Sequence, residues 1–194
     1  EMTNFKLFLV VAFAITFVSG CTDYIEEPSP EQSLPSSAAF ARAGDLESAP
    51  TGAYEARQQS DMAGTGTAIN ANVLSDNAQW NGSFPSYIDM FNRQLESANG
   101  EVAGMWRFGY LAINQANLVI RGVDESEDPE LTQEIADRLR GEALFIRGMA
   151  HFEMVRYFGK PYGASSGTDL GIPVMNSAVL LSTEITFPVR NSVE

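Results

Sequence analysis

The sequence holds one cysteine and one histidine among 194 residues, and each scarcity excludes a class of chemistry. A single cysteine cannot close an internal disulfide, and with one histidine it cannot furnish a Cys/His zinc site. Lysine is nearly missing as well, at Lys6 and Lys160 alone. With 12 basic side chains against 25 acidic ones the net charge is −13, the opposite of the dense Lys/Arg surface that phosphate backbones require. No nucleic-acid partner is expected. Nor is there an apolar run of about 20 residues, the length a permanent membrane-crossing helix needs. Strand-like alternation does not persist before residue 170. What the chain does have is 44% apolar and 10% aromatic residues, the composition of a folded domain.

The first 20 residues read as an export signal. Lys6 precedes the apolar run Leu7 to Val18, and then come Ser19, Gly20 and Cys21. The run is too short to span a bilayer and fits the core of a signal peptide with small residues at its cleavage site. Val18-Ser19-Gly20-Cys21 resembles the lipobox of bacterial lipoproteins. That resemblance implies a diacylglycerol on the Cys21 sulfur and a new N-terminus at its amine. The competing reading is a buried free thiol beside an uncleaved helix. Each buried methylene contributes about 0.8 kcal/mol, so two or more chains anchor a protein stably. No cofactor beyond this covalent lipid is expected, and no metal. Residues 21–37, with Asp23, Glu26, Glu27, Pro28, Pro30 and Pro35, read as an acidic, extended tether.

Residues 38–194 read as a mainly all-α domain. Asp45 is placed to cap a helix reaching about Gln59, with Leu46, Ala49, Ala53 and Tyr54 on one face. Pro50 inside it predicts a kink or a later start. The Gly-, Ser- and Asn-rich stretch 61–99 reads as long loop with a short helix over Tyr87 to Glu96. A strong helix is expected from Glu101 to Arg121, where Val102, Met105, Trp106, Gly109, Tyr110, Ile113 and Asn117 form one stripe and Gly122 ends it. Trp106 is assigned to the core. Asp128 and Pro129 suit the N-cap and first position of the next helix, running to about Phe158. Its apolar face is drawn through Leu131, Ile135, Leu139, Phe145, Met149, Phe152 and Val155, with Gly159 and Pro161 as stops. The acidic run Asp124 to Glu134 favours that helix's N-terminus and lacks the spacing and central glycine of an EF-hand. His151 reads as a packed helix residue. Two such helices make an αα-hairpin, the unit of tetratricopeptide-like arrays.

In order along the chain stand Gly52-Ala53-Tyr54, Ser75-Asp76-Asn77 and Tyr110…Ile113-Asn114-Gln115-Ala116-Asn117-Leu118-Val119-Ile120. Then come the segment Gly141-Glu142-Ala143-Leu144-Phe145-Ile146-Arg147-Gly148-Met149-Ala150-His151-Phe152 through Gly159, Leu170-Gly171-Ile172-Pro173-Val174, and Pro188-x-Arg-x-Ser-Val-Glu. This succession resembles the SusD/RagB family of outer-membrane nutrient-binding lipoproteins, departing at Pro50, Gly148 and His151. The resemblance implies a tetratricopeptide-like scaffold with irregular ligand-holding loops. It also implies residence on the outer face of the outer membrane, capture of glycans or peptides, and delivery to a TonB-dependent (SusC-like) transporter. It covers the N-terminal part of longer proteins, so the chain is expected to be truncated at its C-terminal end.

Non-enzymatic sugar capture relies on aromatic faces over C–H surfaces, rimmed by amide and carboxylate hydrogen bonds. Asp76 to Tyr87 holds those ingredients, which makes Trp80, Asn81 and Tyr87 the candidate ligand residues; Trp80 and Phe84 could equally pin the loop to the helices. Asp76 and Asn77 read as turn or capping residues. Glycoside hydrolysis needs two apposed carboxylates, but the acidic residues fall mainly on solvated helix faces, and no nucleophile elbow or phosphate loop is present. A helical adaptor binding only proteins is the other alternative. If the chain is a fragment, it should unfold at a lower midpoint than the complete protein and expose more dye-accessible apolar surface; equal values in both measurements would count against that.

Overall fold

A computed structural model describes residue 40, residues 42–165 and residues 167–193. The expected signal sequence, Cys21 and the expected tether lie outside the described residues. The architecture is helical: α1 (Ala43–Gln58), a single π turn (Ser60–Gly64), α2 (Gly66–Leu74), α3 (Pro85–Phe91), α4 (Gly100–Glu125) and α5 (Gln133–Phe158). A one-turn helix (Tyr162–Ser165) and a 3₁₀ turn (Ser182–Glu184) punctuate the irregular remainder. Among the described residues the only β pairing is an isolated antiparallel bridge between Leu170 and Ser192.

Helices α4 and α5 form the expected antiparallel hairpin. Gly109 lies against Met154, and farther along Asn117 meets Arg147, so one helix ascends as the other descends. Close approach is set by small residues: Ala112, Ala116, Ala143 and Ala150 are fully buried. A Cβ on Gly109 would come 2.2 Å from the Met154 sulfur. Helix α1 lies on this pair, and Leu46 and Ala53 join Val119, Val123, Leu139 and Ile146 in one apolar cluster. A second cluster gathers Met62, Met105, Met154 and Ile172. The unbranched methionines fill the gap between the π turn, the hairpin and the chain after it.

Several expectations are corrected. Helix α1 begins at Ala43, two residues before Asp45, and continues through a buried Pro50. A proline there costs on the order of 3 kcal/mol, and burial of Leu46, Pro50 and Ala53 against the hairpin offsets it. No side chain within α1 caps it; the Asp128 carboxylate accepts from the Ala43 N–H at 2.8 Å. Asp128 therefore does not cap α5, which starts four residues after Pro129 with Thr132 accepting from the Ile135 N–H. Within 61–99, α2 was hidden by its Gly, Asn and Thr content, and α3 starts at Pro85 and ends at Phe91.

Gly122 does not end α4, which runs to Glu125. It is a packing residue: a Cβ there would meet Leu46 at 2.6 Å and Phe40 at 3.0 Å. On α5 the buried face is Ala136, Leu139, Ala143, Ile146, Ala150 and Met154, whereas Phe145 and Phe152 point outward, each 61% exposed. The helix is apolar on two sides, and the side with the smaller residues was selected because only it allows two helices to approach. Trp106 is not core either; it is 37% exposed and packs at the surface against Tyr110 and Phe158.

The irregular chain after α5 is held by polar side chains of the hairpin. The Tyr110 hydroxyl donates to Pro173 O at 2.8 Å. Asn114 donates to Val179 O and accepts from Val179 N, at 2.9 and 2.8 Å. Asn117, 2% exposed, donates to Met175 O and Ser177 O and accepts from Arg147. Arg190 reaches back to Phe158 O, Leu170 O and Gly171 O, satisfying a carbonyl at the C-terminal end of α5. Glu184 accepts from Leu180 N, Leu181 N and Arg121, and those donors hold its pKa down to about 2.

Two glycines should respond in opposite directions to alanine. Gly122→Ala is expected to lower stability by about 1–3 kcal/mol through overpacking. Gly148→Ala, where nothing lies within 4 Å of the added carbon, should raise it by about 0.5–1 kcal/mol through helix propensity. Urea unfolding of both variants beside the parent chain checks the pair.

Candidate functional site

The loop after α2 and helix α3 carry an aromatic group. Ser75 to Asn77 form the turn that leaves α2, and Asp76 adopts a left-handed backbone (φ 63°). The only other described non-glycine residue at positive φ, Arg93 (φ 57°), is ion-paired to the Asp76 carboxylate. The two strained turns at the ends of this stretch are therefore tied together at the surface. Pro85 at the first position starts α3 with its φ already fixed. At its far side the Asn99 side chain caps α4, accepting from Glu101 N and Val102 N, and donates to Ser86 O at 3.0 Å. That one buried asparagine couples α3 to the start of α4.

This framework brings Trp80 and Tyr87 together, with ring centroids 4.7 Å apart and planes tilted by 42°. Phe84 joins Tyr87 at 5.6 Å and 51°. Tilted pairs at these separations suit the ring quadrupoles. Trp80 is the most confined: the Gly82 backbone lies against its six-membered ring, 2.6 Å from where a Cβ would sit, and its Nε1 is sealed without a partner. Phe84 is half exposed. Asn81, by contrast, is exposed and makes no hydrogen bond to a described residue, so the ring group does not incorporate it.

The Tyr87 hydroxyl donates to Glu101 Oε2 at 3.2 Å. Burial, with the Glu101 charge adding to it, pushes the Tyr87 phenol up to about 12. Burial also raises the Glu101 carboxyl above its ordinary value, against the lowering effect of the Tyr87 hydrogen bond. Glu101 is thus a positioning partner of the aromatic group. Beside α3 lies an open, polar depression of about 780 Å³, lined by Ser86, Asp89, Arg93, Gln94 and Glu96 among others. Phe84 was read only as a possible pin of the loop, whereas it is half exposed; Glu101 and this depression were not read from sequence. The depression depends on α3 ending at Phe91, which the pattern placed five residues later.

His151 is a structural pin. Its Nδ1–H donates to Arg147 O at 2.9 Å and its Nε2 accepts from Met175 N at 3.0 Å, so the ring is held neutral. Burial, aided by the Arg147 charge, depresses its pKa below 6.5. Among the described residues no group of three or more His, Cys, Asp or Glu is placed to hold a metal ion, and no helix is long and apolar enough to cross a membrane.

The site is thus an aromatic group on the loop and helix that precede a tetratricopeptide-like hairpin. The sequence matches the SusD-like family described as "Starch-binding associating with outer membrane" over residues 23–186, and the chain belongs to that family. Three solved structures share its fold. A SusD superfamily protein of Bacteroides thetaiotaomicron has a TM-score of 0.67 at 21% identity. A Bacteroides vulgatus protein whose name suggests sugar binding has 0.61 at 28%, and a SusD superfamily protein of the same species has 0.64 at 19%. Each similarity covers 79% of this chain but only 34%, 33% and 34% of the other, respectively, so the chain spans about a third of these structures. No curated protein matches it in sequence.

The His151 pin has a pH signature. Because the native ring binds its proton less readily than the unfolded one, its contribution is intact above about pH 6.5. It declines as pH falls below that value and is gone once the native ring is protonated. Glu184, depressed from 4.5 to about 2, contributes above its ordinary value and loses that only between those two pH values. Thermal midpoints measured from pH 8 to 3 should therefore drop in an earlier step below pH 6.5 that His151→Phe eliminates. An unchanged profile in the variant would show that the pin does not titrate in this range.

Proposed function

We propose that this chain is the N-terminal, helical part of a surface lipoprotein that captures glycan and passes it to a partner TonB-dependent outer-membrane transporter. The observation that carries the reading is the ring group Trp80–Tyr87–Phe84 set beside a polar depression. Aromatic faces cover the C–H surfaces of a sugar, and amides, carboxylates and Arg93 take its hydroxyls. The family's starch-binding description and the relative named for sugar binding support a glycan over a peptide. Phe84 offers the open ring face, Tyr87 packs against both it and Trp80, and Asn81 stands exposed on the same loop. The lipid on Cys21 and the acidic tether would hold the body off the membrane at the cell exterior, in keeping with the family's outer-membrane association.

The engagement of two of the site's carboxylates supports binding over hydrolysis. Glu101 is occupied by Tyr87, and Asp76 is ion-paired to Arg93 at a turn. A purely protein-binding adaptor is the second reading, favoured by the outward Phe145 and Phe152 of α5.

Affinity electrophoresis in gels containing starch or other polysaccharides tests the proposal. The parent chain should be retarded, and Phe84→Ala and Trp80→Ala should each weaken retention on the order of fivefold or more, the equivalent of about 1 kcal/mol. Co-purification with a transporter and no retardation by any glycan would favour the adaptor, and release of cleaved sugar would overturn the binding-only account.

A further inference from the structure

Helix α5 carries a second apolar face, turned away from the hairpin contact. Leu144, Phe145 and Phe152 are exposed there, and the two phenylalanines stand two turns apart on one side of the helix. Nothing lies within 4 Å of a Cβ placed on Gly141 or Gly148, so room remains beside both rings. Past Phe152 opens a cavity of about 380 Å³, lined by Phe152, Val155, Arg156, Gly159, Lys160 and Tyr162. The charges along this face are ordered. Glu134 and Asp137 stand exposed at its N-terminal end, and Asp137 is engaged only within its own helix, by Gln133 and more distantly by Arg140. Arg156 and Lys160 stand exposed at the other end. Arg156 lies over the Phe152 ring at 5.7 Å and has no ion pair among the described residues. Lys160 pairs with Asp169 and keeps most of its surface open.

We infer that this face receives the same face of a second copy of the chain, with the two α5 helices antiparallel about a two-fold axis near Gly148. In a two-fold contact residue i meets j while j meets i. Counted outward from Gly148, Phe145 and Phe152 fall at nearly equal distances, and so do Gly141 and Arg156, and Asp137 and Lys160. Antiparallel pairing therefore sets the acidic end of each copy on the basic end of the other. It brings Phe145 to the mouth of the other copy's cavity, and a cavity of about 150 Å³ already admits a benzene ring. Gly141 leaves space for the long Arg156 stem. A parallel pair would set acid on acid and base on base. The order of charges is what selects a copy over an unrelated protein, because the face is complementary to itself. The inference stands independently of glycan capture, whose rings lie on the loop after α2 and on α3.

Sedimentation velocity of the parent chain over an about hundredfold concentration range tests it, in about 0.15 M salt, where the net charge is screened beyond about 8 Å. The chain should dimerise as concentration rises. Phe145→Glu should raise the dissociation constant about tenfold or more, with the thermal midpoint of the dilute monomer and polysaccharide retardation unchanged. Reversing the acidic end (Glu134→Lys with Asp137→Lys) or the basic end (Arg156→Glu with Lys160→Glu) should each weaken self-association about three- to tenfold. Mixing the two reversed chains should restore it, since both ends of the mixed pair are then opposite in sign. A chain that stays monomeric would overturn the inference, as would a dimer that Phe145→Glu leaves intact or reversed chains that mixing does not rescue. A monomer whose Phe145 becomes protected only when a TonB-dependent transporter is added would assign the face to that partner and overturn it as well.

Discussion

The irregular chain after α5 depends on one buried amide. Asn117 sits in the middle of α4 with a single face open to hydrogen bonding, and it uses three bonds there: two to backbone carbonyls of the segment after α5 and one from Arg147. A chain without strands or long helices has no ladder of its own to satisfy its backbone, so its carbonyls must find partners elsewhere. Tyr110, Asn114 and Asn117, spaced four and three residues apart on one helix face, provide those partners as a column. His151 and Arg147 extend the column onto α5. The result is a helix pair that presents a polar edge to extended chain, much as a sheet edge would. Because each bond is shielded from water and coupled to its neighbours, loss of one member leaves others unpaired.

That column also explains the division of labour on α4. One side is lined with Gly109, Ala112 and Ala116 and receives α5; Gly122 and Leu118 lie toward α1 and the far end. The polar column occupies the remaining sector. Helix α5 is built on the same economy of size, with alanines inward and phenylalanines outward. Apolar side chains therefore do not by themselves mark the core in this fold. Small residues mark the closest contacts, where they fix the interhelical distance, while Leu139, Ile146 and Met154 fill the space beside them.

This is where legibility from sequence divides. The hairpin, its direction and its limits at Phe158 were readable because periodicity over long stretches is a strong signal. The inward face of α5 was not, since two apolar stripes compete and hydrophobicity favours the wrong one, the stripe with Phe145 and Phe152. Caps were not legible. Thr132 and Asn99 lie beside the helices they cap, yet the caps read from sequence were Asp45 and Asp128; Asp128 serves a helix 85 residues away, and no spacing rule reaches that far. In the loop after α2 the ring types announced an aromatic group, and Trp80 and Tyr87 are in contact. Their partition into a confined ring, a tethered ring and an open one depends on Gly82 and Glu101, whose roles are contacts in space and not patterns in sequence.

The bond from Ala43 N–H to Asp128 carries a consequence for how the chain is made. Helix α1 is short of its own N-terminal acceptors and carries a proline in its interior, so by itself it is a poor helix. Its acceptor, and much of the apolar surface that covers it, belong to chain synthesised 85 residues later. The hairpin of α4 and α5, by contrast, is closed by a short loop and needs little loop entropy to form. During translation α1 therefore leaves the ribosome well before anything exists to complete it, and must be kept soluble until the hairpin arrives. Among the described helices, the first encoded takes its N-terminal acceptor from chain made 85 residues later.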